Sequence, residues 1–290
     1  MSTPLTPDEL LAWGRYVREL CGITLDSTKG YLVETRLAAL LKETGSASWA
    51  ELLTRVRSST DPRLRSQVID AITTNETSFF RDSTPFELLQ HKLIPELIDR
   101  RSRLGIRPIP IRILSAACST GQEAYSIAIT LKELLGDLTA YDVRILGVDI
   151  SDQAVAAASY GFYHKAELMR GLSEARTQLH FEAAGDRWKV RDELRAFATF
   201  RKANLLEPFA TTPAFDLIFC RNVAIYFSET DKNLLFRNLI RVLAPEGALL
   251  LGSTEVLPGF SAELEAKRHL RGVYFQKKPN RPAVPPLVSG

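Results

Sequence analysis

Between positions 75 and 82 the chain reads Asn75-Glu76-Thr77-Ser78-Phe79-Phe80-Arg81-Asp82, crowding amide, hydroxyl, carboxylate and guanidinium groups beside an aromatic pair. The stretch follows neither helical nor strand periodicity, so it is poor core material and good ligand-binding material. Capping does not account for it, because the next helix has its own start signal in Thr84, Pro85 and Glu87. Exposed connectors seldom carry two consecutive Phe residues, so a ligand-facing loop is preferred to a solvated connector.

A second stretch has the residue types of a nucleoside site. The apolar run Ile111-Arg112-Ile113-Leu114 enters Ser115-Ala116-Ala117-Cys118-Ser119-Thr120-Gly121 before a helix over Gln122–Leu135. Small residues let backbone approach a ligand closely, and a helix N-terminus offers unpaired N–H groups. The following strand, Val143 to Val148, ends in Asp149, which can accept hydrogen bonds from both hydroxyls of a ribose. The loop has one glycine where a dinucleotide fingerprint has three, and Asp149 follows Gly121 by 28 residues rather than the usual interval of about 20. Any crossover with a small-residue loop would read similarly. The missing glycines disfavour a pyrophosphate and point to a nucleoside without phosphates, such as S-adenosylmethionine.

No other cluster competes. Cys21, Cys118 and Cys220 have no metal-binding spacing and read as small packing residues in a reducing compartment. His91, His164, His180 and His269 are scattered. The 290 residues, 45% hydrophobic and 24% charged, give ample core for one large domain and one small one. A net charge of +3 is far from the basic stripe of a nucleic-acid binder. With no secretory signal and no long apolar run, the expected location is the cytoplasm.

The elements needed to position these groups fall into two parts. Residues 1–74 read as a small all-α domain of about four helices: one starting at Thr6-Pro7, one from Ser27 to Lys42, one capped by Ser48 with Glu51, one starting at Asp61-Pro62. The second carries Lys29, Arg36 and Lys42 as a basic face that could dock an acidic helical partner, although the domain's nine basic and nine acidic residues suit an ordinary solvated face equally. Residues 75–290 read as α/β, with a small antiparallel excursion over 178–203 around Trp188 and Phe197–Phe200. The main sheet then resumes at Phe215–Cys220 and Ala248–Leu251. Arg221, Asn222 and Tyr226 follow a strand's carboxyl end, where open α/β sheets bind ligands. The tail from Pro279, with four prolines in twelve residues, reads as disordered.

These separated motifs together resemble the CheR-type chemotaxis receptor methyltransferases. The matching segments are Asn75 to Arg81, Ser115 to Ser126, Asp149-Ile150-Ser151, Asn204-Leu205-Leu206 and Phe219 to Phe227. The resemblance implies a Rossmann-like S-adenosylmethionine methyltransferase domain behind an all-α domain, and methylation of glutamate side chains on bacterial chemoreceptors. It also implies that Asn75, Thr77 and Arg81 reach the cofactor, that Glu123 and Asp149 hold its amino and ribose groups, and that Asn204, Leu205, Arg221 and Asn222 line the adenosine side. Arg81 and Tyr226 would face the reacting centre. The short connection Ala183-Ala184-Gly185-Asp186-Arg187 resembles members that do not bind a receptor's tethered pentapeptide.

A glutamate side chain in an unstructured peptide titrates at about pH 4.3, so it is already ionised at neutral pH and needs no general base. The absence of a catalytic histidine motif is therefore compatible with this chemistry. Three other readings are weaker. An RNA or small-molecule methyltransferase lacks support in Arg221-Asn222-Val223, which is unlike the motif used on base amines. A nicotinamide oxidoreductase is disfavoured by the single-glycine loop. A non-catalytic cofactor-binding or scaffolding module would have no need of Arg81 and Tyr226, and both are present.

Overall fold

Side-chain caps set the starts of three of the five N-terminal helices. Thr6 and Glu9 form a reciprocal capping box on α1 (Pro7–Cys21), and a turn of 3-10 helix at Ser27–Lys29 leads into α2 (Gly30–Arg36) and α3 (Ala38–Glu43). Ser48 caps α4 (Trp49–Ser58) and Asp61 caps α5 (Pro62–Ile72). The computed structural model describes residues 4–208, 214–257, 259–260 and 262–278; the tail expected to be disordered lies outside them. The five helices enclose their own apolar cluster around Trp13, Val33, Leu37, Trp49 and Leu52, none of which is exposed.

The single helix expected over Ser27–Lys42 is interrupted at Leu37, whose ψ of 0° marks a kink. The Leu37 and Leu41 amides still bond to the Val33 and Leu37 carbonyls on either side of the break, and Leu37 becomes fully buried. A further correction concerns Arg36. Its guanidinium does not join an outward basic face but turns back to the carbonyls of Ile72 (2.6 Å) and Thr73 (3.1 Å) and to Thr74 Oγ1 (3.0 Å). A cation there satisfies the open carbonyls ending α5. Lys29 pairs with Asp26 at 3.2 Å, and Lys42 is exposed.

The rest of the chain is built on one sheet. After α6 (Ser83–Leu88), a π-helical turn at Leu89–Leu93 and α7 (Ile94–Arg103), the chain forms β1 (Ile109–Ala116), α8 (Gln122–Leu135), β2 (Tyr141–Asp149) and α9 (Asp152–Tyr160). Next come β3 (Phe162–His164), α10 (Lys165–Met169), α11 (Glu174–His180), β4 (Phe181–Ala184), β5 (Arg187–Val190), α12 (Asp192–Arg195) and β6 (Ala198–Lys202). The last elements are β7 (Phe215–Cys220), α13 (Glu229–Val242), β8 (Leu243–Leu251), β9 (Leu264–His269) and β10 (Gly272–Lys277).

The main sheet has the order β6-β2-β1-β7-β8-β10-β9, with β6 to β8 mutually parallel and β10 antiparallel to both neighbours. Side chains alternate across it: Ile111, Ile113, Leu217 and Phe219 join the cluster containing α8, while Leu114, Ala116, Ile218 and Cys220 join the one containing α13. Both faces are covered, which is why the central stretches Ile113–Leu114, Leu217–Cys220 and Ala248–Leu251 read as apolar runs. The chain leaves β1 toward β2 and β6, then returns on the other side of β1 as β7, opening a crevice at the carboxyl ends of those strands.

The antiparallel excursion differs from the expected 178–203. It consists of β3-β5-β4 and spans 162–190, whereas Ala198–Lys202 pairs in parallel with β2 and belongs to the main sheet. The alternation around Phe197–Phe200 suits either sheet, and the free edge of β2 decides it. β3 is three residues long, too short for a periodic signal.

This excursion holds the 75–82 segment in place. Phe79, 1% exposed, packs edge-on against Tyr163 of β3 (5.0 Å between centroids) and Phe181 of β4 (5.4 Å). A Cβ on Gly171 would sit 1.8 Å from the Phe79 carbonyl oxygen. Gly171→Ala should therefore cost about 1–3 kcal/mol or more in urea denaturation; an unchanged midpoint would mean that this backbone contact is slack.

Candidate active site

The functional side chains hang on three segments meeting at the crevice. The first follows β1, where Ala117 (φ +59°), Ser119 (φ +50°) and Gly121 (φ +96°) take left-handed conformations to turn the chain into α8. A Cβ on Gly121 would meet Ala158 Cβ at 2.9 Å, so glycine is required there by contact as well as by φ. Asp149, ending β2 and 6% exposed, accepts from the Ser119 N–H on Oδ2 (2.8 Å) and the Ser151 N–H on Oδ1 (3.0 Å). Each oxygen keeps a lone pair for a further donor. Burial pushes the Asp149 carboxyl above the ordinary aspartate range, against the pull of these backbone donors.

The second segment is 75–82. The Asn75 carbonyl accepts from Ser119 Oγ (3.1 Å), the Phe80 N–H donates to Ser126 Oγ (2.9 Å), and Arg81 Nη1 donates to the Glu76 carbonyl (3.0 Å). Its polar members Asn75 to Ser78 and Arg81 line the cleft, while the aromatic pair anchors it from behind. The next helix begins at Ser83, with Asp82 at φ +55° as its N-cap, two residues before the start expected with Thr84 as cap and Pro85 as first residue. Asp82 is drawn away from capping by an ion pair with Arg221 at 3.0 Å.

The third segment follows β7. The Arg221 side chain is 2% exposed; its guanidinium donates to Glu123 Oε2 (3.0 Å), Asp82 Oδ2 (3.0 Å) and the Arg81 carbonyl (2.5 Å). Glu123 also accepts from Ser115 Oγ at 2.7 Å. Asn222 lies at φ +59°, and Tyr226 closes a 3-10 turn at Ala224–Tyr226. Nearby, Asn204 Oδ1 accepts from the Leu206 N–H (3.1 Å), which turns the chain so that Asn204 and half-buried Ala203 meet the cleft beside Leu205.

All ten residues singled out in the sequence, Asn75, Thr77, Arg81, Glu123, Asp149, Asn204, Leu205, Arg221, Asn222 and Tyr226, line this one cleft. The helical domain closes it with Cys21, Ile23, Thr73 and Thr74, none of which the sequence marks. Sequence reasoning also misses Glu255. It accepts from the amides of Asn222 (2.7 Å), Val223 (3.0 Å), Ala224 (2.8 Å) and Gly252 (2.8 Å). Its one sequence signal is a Gly-Ser-Thr-Glu turn directly after β8. Cys21, Cys118 and Cys220 are free and buried; burial raises all three thiols, Cys21 to about 11, so they stay protonated at neutral pH. Among the described residues no His, Cys, Asp and Glu cluster suits a metal, and no helix is long and apolar enough to cross a membrane.

An α/β sheet with a nucleoside-type loop, a ribose-type carboxylate and a polar cleft defines a nucleoside-cofactor enzyme, and comparison with known proteins narrows it. Residues 75–271 match the family described as CheR methyltransferase, SAM binding domain, and residues 8–73 match CheR methyltransferase, all-alpha domain. The chain is 40% identical over 268 residues to Chemotaxis protein methyltransferase 1 of Pseudomonas aeruginosa, covering 91% of this chain and 95% of the relative. It is 39% identical over 268 residues, with the same coverage, to Chemotaxis protein methyltransferase Cher2 of Pseudomonas putida. The chain belongs to the CheR methyltransferase family, and its cofactor is S-adenosylmethionine.

The residues present fit that cofactor. Asp149 has acceptor capacity for two vicinal hydroxyls, Glu123 is a carboxylate for an ammonium, and the buried Arg221 Nε has no acceptor among the described residues. Because burial raises the Asp149 pKa, the folded free protein binds a proton more readily than the unfolded chain. That contribution to stability is present at acid pH and lost as pH rises through the folded pKa. Ligand binding runs the other way. S-adenosylhomocysteine affinity should weaken on acidification at a pH above that of an ordinary aspartate, and Asp149→Asn should remove this dependence in calorimetric titrations; the same pH profile in the variant would assign the effect elsewhere.

Proposed function

We propose that this methyltransferase esterifies glutamate side chains on the cytoplasmic helical domain of chemoreceptors, in chemotaxis or a related chemosensory pathway, acting in the cytoplasm. The observation that carries the reading is Arg81. Arg81 and Tyr226 both line the cleft, and among the described residues the Arg81 guanidinium forms no ion pair, only a bond to the neutral Glu76 carbonyl. A cation left unneutralised at the cleft suits an incoming carboxylate. When bound, the cofactor supplies an electrophilic methyl group on a cationic sulfur.

What this chain contributes is orientation and exclusion of water. Arg81 orients the substrate carboxylate, and the Tyr226 hydroxyl donates a hydrogen bond near the transferred group. Asp149 takes the ribose, Glu123 the amino group, Asn204 and Leu205 flank the adenosine, and Asn75 and Thr77 reach in from the linker. No proton need be removed from an ionised glutamate, so the protonated thiols and the distant histidines are no obstacle. Exposed Lys42 supports docking of an acidic helical bundle on the helical domain, with Lys29 shared with Asp26 and Arg36 acting only through the linker it holds. The two-residue turn Gly185-Asp186 between β4 and β5 supports independence from a tethered pentapeptide. Titration calorimetry with such a peptide should give no heat, and micromolar binding would overturn that part.

Labelled methyl transfer to a receptor cytoplasmic domain, with a receptor carrying Glu→Gln substitutions as control, tests the activity. Base-labile label absent from the control is expected. Arg81→Ala should lower turnover about 100-fold while S-adenosylhomocysteine affinity changes little. A loss confined to cofactor affinity would refute the role of Arg81, and label that resists base would refute ester formation.

A further inference from the structure

The loop presenting Asn222 and Tyr226 rests on the α13-side core through Ala224, Val223 and Phe227, but its polar residues face the cleft. Ala224 is buried, but Ile225 is 49% exposed and Asn222 occupies a left-handed conformation uncommon outside glycine. What fixes the backbone of its first turn is one carboxylate. Glu255 Oε2 takes the Asn222 and Gly252 amides and Oε1 takes those of Val223 and Ala224, so a single side chain gathers three consecutive N–H groups from one loop and one from another. A Cβ at Gly252 would lie 2.8 Å from Glu255 Oε2 and 3.0 Å from the Asn222 amide nitrogen, so the two loops are in close contact at that carboxylate. At the other end the Tyr226 carbonyl accepts from the Thr24 N–H at 2.9 Å.

We infer that Glu255 is a positioning residue for methyl transfer: it fixes the strained Asn222–Ala224 turn and thereby the placement of the Tyr226 hydroxyl at the reacting centre. This rests on the role given to Tyr226 above. Four charge-assisted bonds from one carboxylate are far stronger than a surface turn requires. None of the acceptor's partners belongs to Asp149, Ser119 or α8, so the ribose end of the cleft is held independently of it.

Glu255→Gln keeps the shape but turns one acceptor oxygen into an NH2 group facing amide donors. Kinetics of methyl transfer to a receptor cytoplasmic domain are to be compared for wild type, Glu255→Gln, Tyr226→Phe and the double variant, well below each variant's melting temperature. S-adenosylhomocysteine affinity is measured in parallel. Expected are a fall in kcat of the order of 100-fold for Glu255→Gln, cofactor affinity within about threefold, and a double variant little slower than the slower single one. Should Glu255→Gln not fold, Glu255→Asp, which keeps the charge but shortens the reach, enters the same cycle with the same expected coupling.

Unchanged kcat with a lowered melting temperature would make Glu255 purely structural, and additive losses would detach it from Tyr226; both overturn the inference. Equal losses in kcat and cofactor affinity would also overturn it, by making the loop part of cofactor binding. A silent Tyr226→Phe would sink the inference together with the role of Tyr226. Methyl transfer by the wild type separates all of these from failure of the proposed function itself.

Discussion

The buried Arg221 guanidinium is the interaction on which the cleft depends. A cation with its side chain 2% exposed is tolerable only when its charge is met, and here it is met by Glu123 from the first turn of α8 and by Asp82 from the start of α6. It also takes the Arg81 carbonyl. One side chain thus binds segments that lie far apart in sequence, each bearing residues of the site. Removing it would leave Glu123 deprived of its cation and the Asp82 carboxylate without the partner that holds this strained residue at φ +55°. The arrangement is less a source of net stability than of geometry, since a buried ion pair competes with the hydration both ions give up.

The same node explains why the helical domain matters to a sheet-based site. The 75–82 segment leaves α5 under the grip of Arg36, and Asp70 in α5 accepts from Ser151 Oγ at 2.6 Å, the residue that caps α9 and whose amide holds Asp149. On the other flank Ile23 bridges to Phe227, and Arg18 bonds Asp231 and Ser228 at the start of α13. The helical domain therefore reaches both the Asp149 carboxylate and the Tyr226 turn.

Much of this is legible in the sequence. Loop residues of special type, Asn75, Asp149, Arg221 and Asn222, stand out because their chemistry is wasted in a core or on a plain turn, and helix starts at Thr6, Ser48, Asp61 and Ser151 follow from local capping chemistry. What is not legible is long-range. That Phe79 and Phe80 anchor rather than contact ligand depends on Tyr163, Phe181 and on Arg176, whose guanidinium lies 4.2 Å over the Phe80 ring. That Ala198–Lys202 joins β2 rather than the excursion depends on an open sheet edge. The turn of Arg36 back onto Thr73 and Thr74, and the four amides gathered by Glu255, involve backbone groups that no side-chain pattern reveals.

Amide hydrogen exchange on Arg221→Met, compared with wild type, tests the dependence of the cleft on this guanidinium most directly. Methionine keeps length and apolar bulk without charge. The account predicts that amides of 78–83, including the Phe80 N–H bonded to Ser126, exchange much faster, while those of β1 and β7 stay protected. Protection of 78–83 equal to wild type in a folded variant would contradict it, and would mean that Phe79 in its aromatic socket fixes the segment without Arg221.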